Sequence, residues 1–95
     1  MAGLSGASKA ATGTITSGVA SLLSFADEKG TVILNNQSGQ KAYFKLNDAA
    51  TPIVSATVYD LAVADGGAFI VENASVTTVG VFVAATSGIR VVGWD

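Results

Sequence analysis

The sequence predicts an all-β fold: a small antiparallel β-sandwich or jelly-roll-like barrel of six or seven strands, with an extended N-terminal arm. Three observations predict it. β-Branched and apolar runs of strand length recur from residue 19 onward, clusters of Gly, Asn, Asp and Ser separate them at regular spacing, and several runs alternate apolar and polar side chains with period two.

Residues 1–18 read as the arm and residues 19–95 as the sandwich domain. Beyond Met1, the arm has Leu4 and Ile15 as its only large apolar side chains among Gly, Ala, Ser and Thr, so it cannot build a core and in isolation behaves as a linker. Residues 19–25 fit two periods. Val19, Leu23 and Phe25 share a strand face, while Val19, Leu22, Leu23 and Ala26 fit a helical stripe capped by Ser17; the strand is preferred. Residues 27–30 form a polar turn ending in Gly30, and residues 31–35 form a β-branched and apolar strand. After a turn over residues 36–40 comes a half-buried strand of a hairpin, with Ala42, Phe44 and Leu46 on one face and Lys41, Tyr43 and Lys45 on the other.

Residues 47–57 hold the only proline, Pro52, and form the longest irregular connection, suited to passing from one sheet to another. Residues 59–64 resume extended structure. Asp65-Gly66-Gly67 signals a tight hairpin, and residues 68–72 return with Phe69 and Val71 facing together. Val79, Val81 and Val83 then alternate with Gly80, Phe82 and Ala84 in the clearest strand of the chain. Thr86-Ser87-Gly88 turns it, and Ile89, Val91 and Gly93 alternate with Arg90, Val92 and Trp94 to the C-terminus.

Composition narrows the function. A chain of 95 residues makes one domain, which buries roughly 60–65% of its unfolded surface and keeps a thin margin over conformational entropy. With no Cys and no His, it has no disulfide, no thiol nucleophile, no Cys/His zinc site and no side chain that titrates unperturbed near neutrality. There is no Gly-x-Ser-x-Gly elbow, no phosphate-binding glycine loop and no alternating carboxylate loop for calcium. The carboxylates are Asp27, Glu28, Asp48, Asp60, Asp65, Glu72 and Asp95, and most fall in or beside proposed turns, where capping is their expected role. The expectation is therefore a non-enzyme without cofactor or metal.

A net charge of −2 argues against a nucleic-acid partner, which needs a basic face to displace counterions. Neither the apolar core of a secretory signal nor an uninterrupted membrane-spanning run is present, so no membrane partner is expected and synthesis is assigned to a cytoplasm. Asn36-Gln37-Ser38 and Asn73-Ala74-Ser75 match the glycosylation tripeptide, which means nothing without secretion. The remaining route to extra stability is association, with copies of the chain, a trimer among the options, or with a larger surface.

Phe44, Phe69 and Phe82 fall inside strand patterns and are expected to pack in the core or on a sheet face. Tyr43, which shares a face with Lys41 and Lys45, and Trp94, next to the chain end, are candidate interface residues. A charged solvent face is the default for Lys41, Lys45 and Arg90. In and beside the arm, Leu4, Ile15 and Val19 are candidate apolar pegs, and Lys9 is added as its charged contact.

Residues 32–94 resemble small virion proteins of tailed bacteriophages. The resemblance lies in Asn35-Asn36-Gln37-Ser38-Gly39 leading into Tyr43-Phe44-Lys45-Leu46, in the segment from Asp60 to Gly67, and in a Val-rich strand running through Ala84-Ala85 into Ser87-Gly88-Ile89-Arg90-Val91. It covers about two thirds of the chain and consists of turn residues and strand alternation. It implies a β-sandwich on the capsid surface of a virion, made in the host cytoplasm: a capsid decoration or cement protein whose partner is the major capsid protein or another virion subunit. The alternatives are another phage structural or fibre subunit, including a pilus-like strand-addition subunit, and a carbohydrate- or receptor-binding β module. Many symmetry-related copies of one site let weak contacts sum, with the arm laid across a neighbouring subunit. Deleting residues 1–14 is then expected to leave a folded domain that no longer binds particles.

Overall fold

The computed structural model describes residues 8–94. The alternation read from the sequence resolves into eight strands: β1 (Lys9–Ala10), β2 (Ser21–Lys29), β3 (Thr31–Asn36), β4 (Ala42–Leu46), β5 (Leu61–Val63), β6 (Ala68–Val71), β7 (Val76–Phe82) and β8 (Ile89–Trp94). Seven of them lie beyond residue 19, within the expected number, and the arm contributes β1. They form two antiparallel four-stranded sheets, ordered β1-β8-β3-β6 and β2-β7-β4-β5. This is the double-sheet order of a jelly roll, and it meets the expected fold class.

The sheets face each other across a core set by period-two alternation. Val32 and Leu34 from β3, Phe44 from β4, Val79 and Val81 from β7, and Val91 from β8 are buried between them. Each such side chain contributes about 1.5–3 kcal/mol on leaving water. The β-branched enrichment suits this interior because Val loses little rotamer freedom on a pleated surface.

Every connection except β4–β5 passes from one sheet to the other, and this corrects four readings of the turns. The turn over residues 36–40 does not close a hairpin: β3 and β4 lie in opposite sheets, and β4 pairs with β5 and β7. Asp65-Gly66-Gly67 likewise carries the chain between sheets from β5 to β6. The long connection expected over residues 47–57 to change sheets runs from 47 to 60 and instead joins neighbouring strands of one sheet. Residues 27–29, expected as a turn, belong to β2, whose pairing with β7 is interrupted by a bulge between Ser24 and Lys29. Gly30 alone separates β2 from β3; its N–H donates to the Trp94 carbonyl and its carbonyl accepts from Ala74 N–H.

Asn36 ties one corner of the two sheets. Its Nδ2 donates to the carbonyls of Gln40 (2.7 Å) and Val63 (2.8 Å), and its Oδ1 accepts from Ser38 N–H (3.0 Å) and Ser38 Oγ (2.6 Å). The side chain is fully buried, so this tripeptide offers no accessible amide for a glycan. Gly88 closes the same corner. Its φ of +88° is left-handed, and a Cβ there would overlap the Gln37 backbone, whose N–H donates to the Gly88 carbonyl.

The arm from Lys9 onward is held by its own domain. Lys9 and Ala10 pair with Gly93 and Val92, Ala11 N–H donates to the Val91 carbonyl, and Thr12 and Ser24 exchange two backbone hydrogen bonds of 2.9 Å. Gly18 N–H donates to the Val83 carbonyl, and Ile15 packs partly buried against the core. Residues 9–18 therefore bridge the β8 edge of one sheet and the β2 edge of the other.

Candidate interaction surface

The two outer faces of the sandwich differ. On the β2-β7-β4-β5 sheet, Val79 and Val81 point inward, so Gly80 between them points out, where a Cβ would overlap the Asp48 carboxylate. Asp48 is buried over this glycine and accepts from the backbone N–H groups of Ala49 (2.8 Å), Ile53 (3.1 Å) and Val54 (3.1 Å), so one carboxylate holds the loop down. Thr78 Oγ1 donates to the Asp48 carbonyl at 2.8 Å. Val54 is buried without joining the cluster between the sheets, and so helps form a second, smaller packing layer. At the loop's start Asn47, with φ of +54°, accepts from Thr77 N–H and donates to the Ser75 carbonyl. At its end Tyr59 sits 5.0 Å from Tyr43, ring centre to ring centre. This face is covered by the protein's own chain.

The outer face of the β1-β8-β3-β6 sheet has no such cover among the described residues. The register aligns Ala10 with Val92, Val92 with Ile33, and Ile33 with Ile70, so one apolar row crosses all four strands. Trp94 and Thr31 flank it on one side, and Arg90, Asn35 and Ala68 on the other. Asn35 Oδ1 is buried with no hydrogen-bond partner. At the end of the row, on the outermost strand β6, Ile70 is 53% exposed; its neighbour Phe69, which points to the other face, is 47% exposed at the sheet edge. Ile33 and Val92 are half-buried and Ala10 and Ile70 exposed, and a contiguous apolar row open to solvent on one face of a small domain is a candidate interaction surface.

Of the residues expected to meet a partner, Leu4 lies outside the described residues. Trp94 is on the open face, half-buried at the end of β8, and Lys9 is exposed on the adjacent β1. Val19 is 52% exposed just past the arm's turn. Ile15 is packed against the core and offers little as a peg. Tyr43 lies on the opposite, covered face, between Tyr59 and Phe82, with Lys41 Nζ 5.7 Å from its ring centre. The structure therefore places Lys9 and Trp94 in one sheet but on opposite faces, since Lys9 pairs with Gly93 and lines the groove beside β2, and it separates Tyr43 from both.

Phe69, expected in the core or on a sheet face, is 47% exposed, because its strand is at the sheet edge, where no described neighbour closes over it. Phe44 is buried as expected, and Phe82 packs on the outer sheet face against Tyr43. The residues missed are Ile33, Ile70 and Val92. Their signal is the unbroken runs Val32-Ile33-Leu34, Phe69-Ile70-Val71 and Val91-Val92, which place apolar side chains on both faces where a half-solvated strand would alternate.

A groove of about 240 Å³ opens where the arm meets β2, with Lys9, Thr12, Phe25, Asp27 and Lys29 in its lining. Among the described residues, no cluster of three or more His, Cys, Asp or Glu side chains is placed to hold a metal ion, and no helix is long and apolar enough to cross a membrane. Asp48, Asp60 and Asp65 all accept loop or strand N–H bonds, as expected of turn carboxylates. No family model, curated protein or solved structure matches the chain.

Proposed function

We propose that this chain is a structural virion protein, of the capsid decoration or cement type, that binds and stabilises a phage head shell. It works without catalysis or cofactor, and its partner is the major capsid protein or a neighbouring virion subunit. The observation that carries this reading is the open outer face of the β1-β8-β3-β6 sheet, with its apolar row, Trp94 beside it and the arm leading onto it through β1. A flat face suits a broad protein surface better than a small ligand, which needs an enclosed concavity. The jelly-roll order, found among viral capsid domains and lectins, supports the class by analogy of fold.

Residues 9–12 are laid along the domain's own strands, with only the Ala10 backbone groups off the β8 ladder, so this part of the arm meets a shell chiefly through side chains. That changes the useful truncation. Removing residues 1–14 would also strip β1 and the Thr12 bridge, whereas removing residues 1–7 leaves both in place. The test is co-sedimentation with expanded, DNA-free phage heads. Full-length protein is expected to pellet saturably, at a fixed number of copies per shell, and the 1–7 truncation to pellet less while melting at the same temperature. Absence of the full-length chain from the pellet at every concentration would refute the proposal.

A further inference from the structure

The sandwich has four strand edges, and three are protected. β1 is two residues long and β5 three. β2 carries a bulge with Asp27 and Glu28 exposed on it. Short strands, bulges and charge are the usual means by which monomeric sheets avoid pairing edge to edge. β6, at four residues the longest edge strand without a bulge, carries neither bulge nor charge: Ala68-Phe69-Ile70-Val71 is regular and free of proline, and it pairs only with β3.

The unused hydrogen-bonding groups of β6 can be identified. Asn36 N–H donates to the Gly67 carbonyl and the Asn36 carbonyl accepts from Gly66 N–H, so Asn36 directs both backbone groups toward β6. Along an antiparallel ladder the direction alternates, so Leu34 and Val32 do the same toward their partners Phe69 and Val71. The N–H and C=O groups of Ala68 and Ile70 therefore point away from the sheet, where no described strand receives them.

We infer that β6 is a self-association edge, at which a second copy of this chain docks antiparallel about a two-fold axis to make one eight-stranded sheet from two β1-β8-β3-β6 sheets. An antiparallel edge is its own complement under two-fold symmetry, and no other edge among the described residues is both regular and as long, so association closes as a dimer and not a fibre. With Ile70 on the axis, the two Ile70 residues exchange N–H···O=C bonds, Ala68 faces Glu72 of the second copy, and Phe69 faces Val71. The two Glu72 carboxylates then stand at opposite ends, so no like charges face each other. The apolar row from Ala10 to Ile70 continues into the second copy on the same outer face. This goes beyond the proposed shell binding and does not depend on it.

Sedimentation equilibrium on the full chain tests it. The wild type is expected to reach twice the 9.5 kDa chain mass as concentration rises, with an affinity that salt changes little because the edge is uncharged. Ile70→Lys sets like charges against each other across the axis and is expected to raise the dissociation constant by about a hundredfold or more. Ala68→Pro removes only an outward N–H at the first residue of the strand and is expected to weaken the dimer with little change in the monomer's circular dichroism. Crosslinking decides the matter if either variant fails to fold. Facing Cα atoms of such a hydrogen-bonded pair lie about 5.5 Å apart, within disulfide range, so Ile70→Cys should oxidise to a covalent dimer while Val19→Cys, equally exposed elsewhere, should not. A wild type that stays monomeric at all concentrations, a dimer untouched by Ile70→Lys, or Val19→Cys crosslinking as readily as Ile70→Cys would each overturn the inference. A monomer that instead captures a strand of another protein overturns it too.

Discussion

Asn36→Asp changes one atom at the corner where the two sheets are tied, and its cost follows from the geometry. Asn36 Nδ2 is the donor to the Gln40 and Val63 carbonyls at 2.7 and 2.8 Å in a fully buried site. An oxygen in its place leaves both carbonyls without a donor and facing another acceptor. Each orphaned buried acceptor costs about 1–3 kcal/mol, so the substitution should cost about 4 kcal/mol. A domain of this length has about 5–14 kcal/mol in total, and about 4–8 °C of melting temperature is lost per kcal/mol, so the variant should melt about 15–30 °C lower at pH 7.

The loss should also depend on pH. Burial and two neighbouring carbonyl oxygens disfavour the charged form of the introduced carboxyl, which raises its folded-state pKa above the unfolded value of about 3.9. The folded state then holds the proton more tightly. Stability is recovered as pH falls through the folded pKa toward the unfolded one, and the protonated acid regains a donor for one of the two carbonyls. Asn36→Leu removes the same donors but titrates nothing, so its gap to the wild type should not vary with pH. Thermal denaturation at pH 7 and pH 4, followed by circular dichroism, measures both effects. A loss under about 5 °C at pH 7, or an Asn36→Asp gap of equal size at both pH values, would refute the reasoning.

Other outcomes follow from the same packing. Gly80→Ala places a methyl against the Asp48 carboxylate and should cost about 2–4 kcal/mol while making residues 47–60 sensitive to protease; in an Asp48→Ala background the added cost should largely vanish, as a double-mutant cycle will show. Gly88→Ala forces a left-handed residue against the Gln37 backbone and should lower stability by about 2 kcal/mol or more, read from urea midpoints. Deleting residues 1–14 removes the β1 pairing and the Thr12–Ser24 bridge and should lower the melting temperature, whereas deleting residues 1–7 should not. Equal melting of the two truncations would contradict the role given to β1.

The sequence reveals the strands more readily than their neighbours. Val79, Val81 and Val83 announce a strand with one buried face because alternation is a local property, and the same holds for Ala42 and Phe44. A turn such as Asp65-Gly66-Gly67 announces a reversal, yet whether the chain returns in the same sheet or the opposite one is decided by which long-range partner competes best for β6, and no local residue encodes that. The position of Phe69 was lost for the same reason, since inward parity implies burial only where a further strand covers it. Lys9 and Trp94 were legible as surface candidates, but their placement in one sheet depends on β1 pairing with the far end of the chain. Gly80 read as one small residue in a Val-rich strand, and its purpose appears only once Asp48 lies across it.

The place of β8 makes closure of the sandwich a late event in folding. It is an interior strand, lying between β1 and β3. Until residues 89–94 dock, β1 has no partner and β3 lacks one of its two neighbours. A chain with this strand undocked carries Val32 and Leu34 incompletely shielded, and docking is slowed by the long sequence separation of the strands that meet. A variant lacking residues 89–94 should therefore be prone to aggregate.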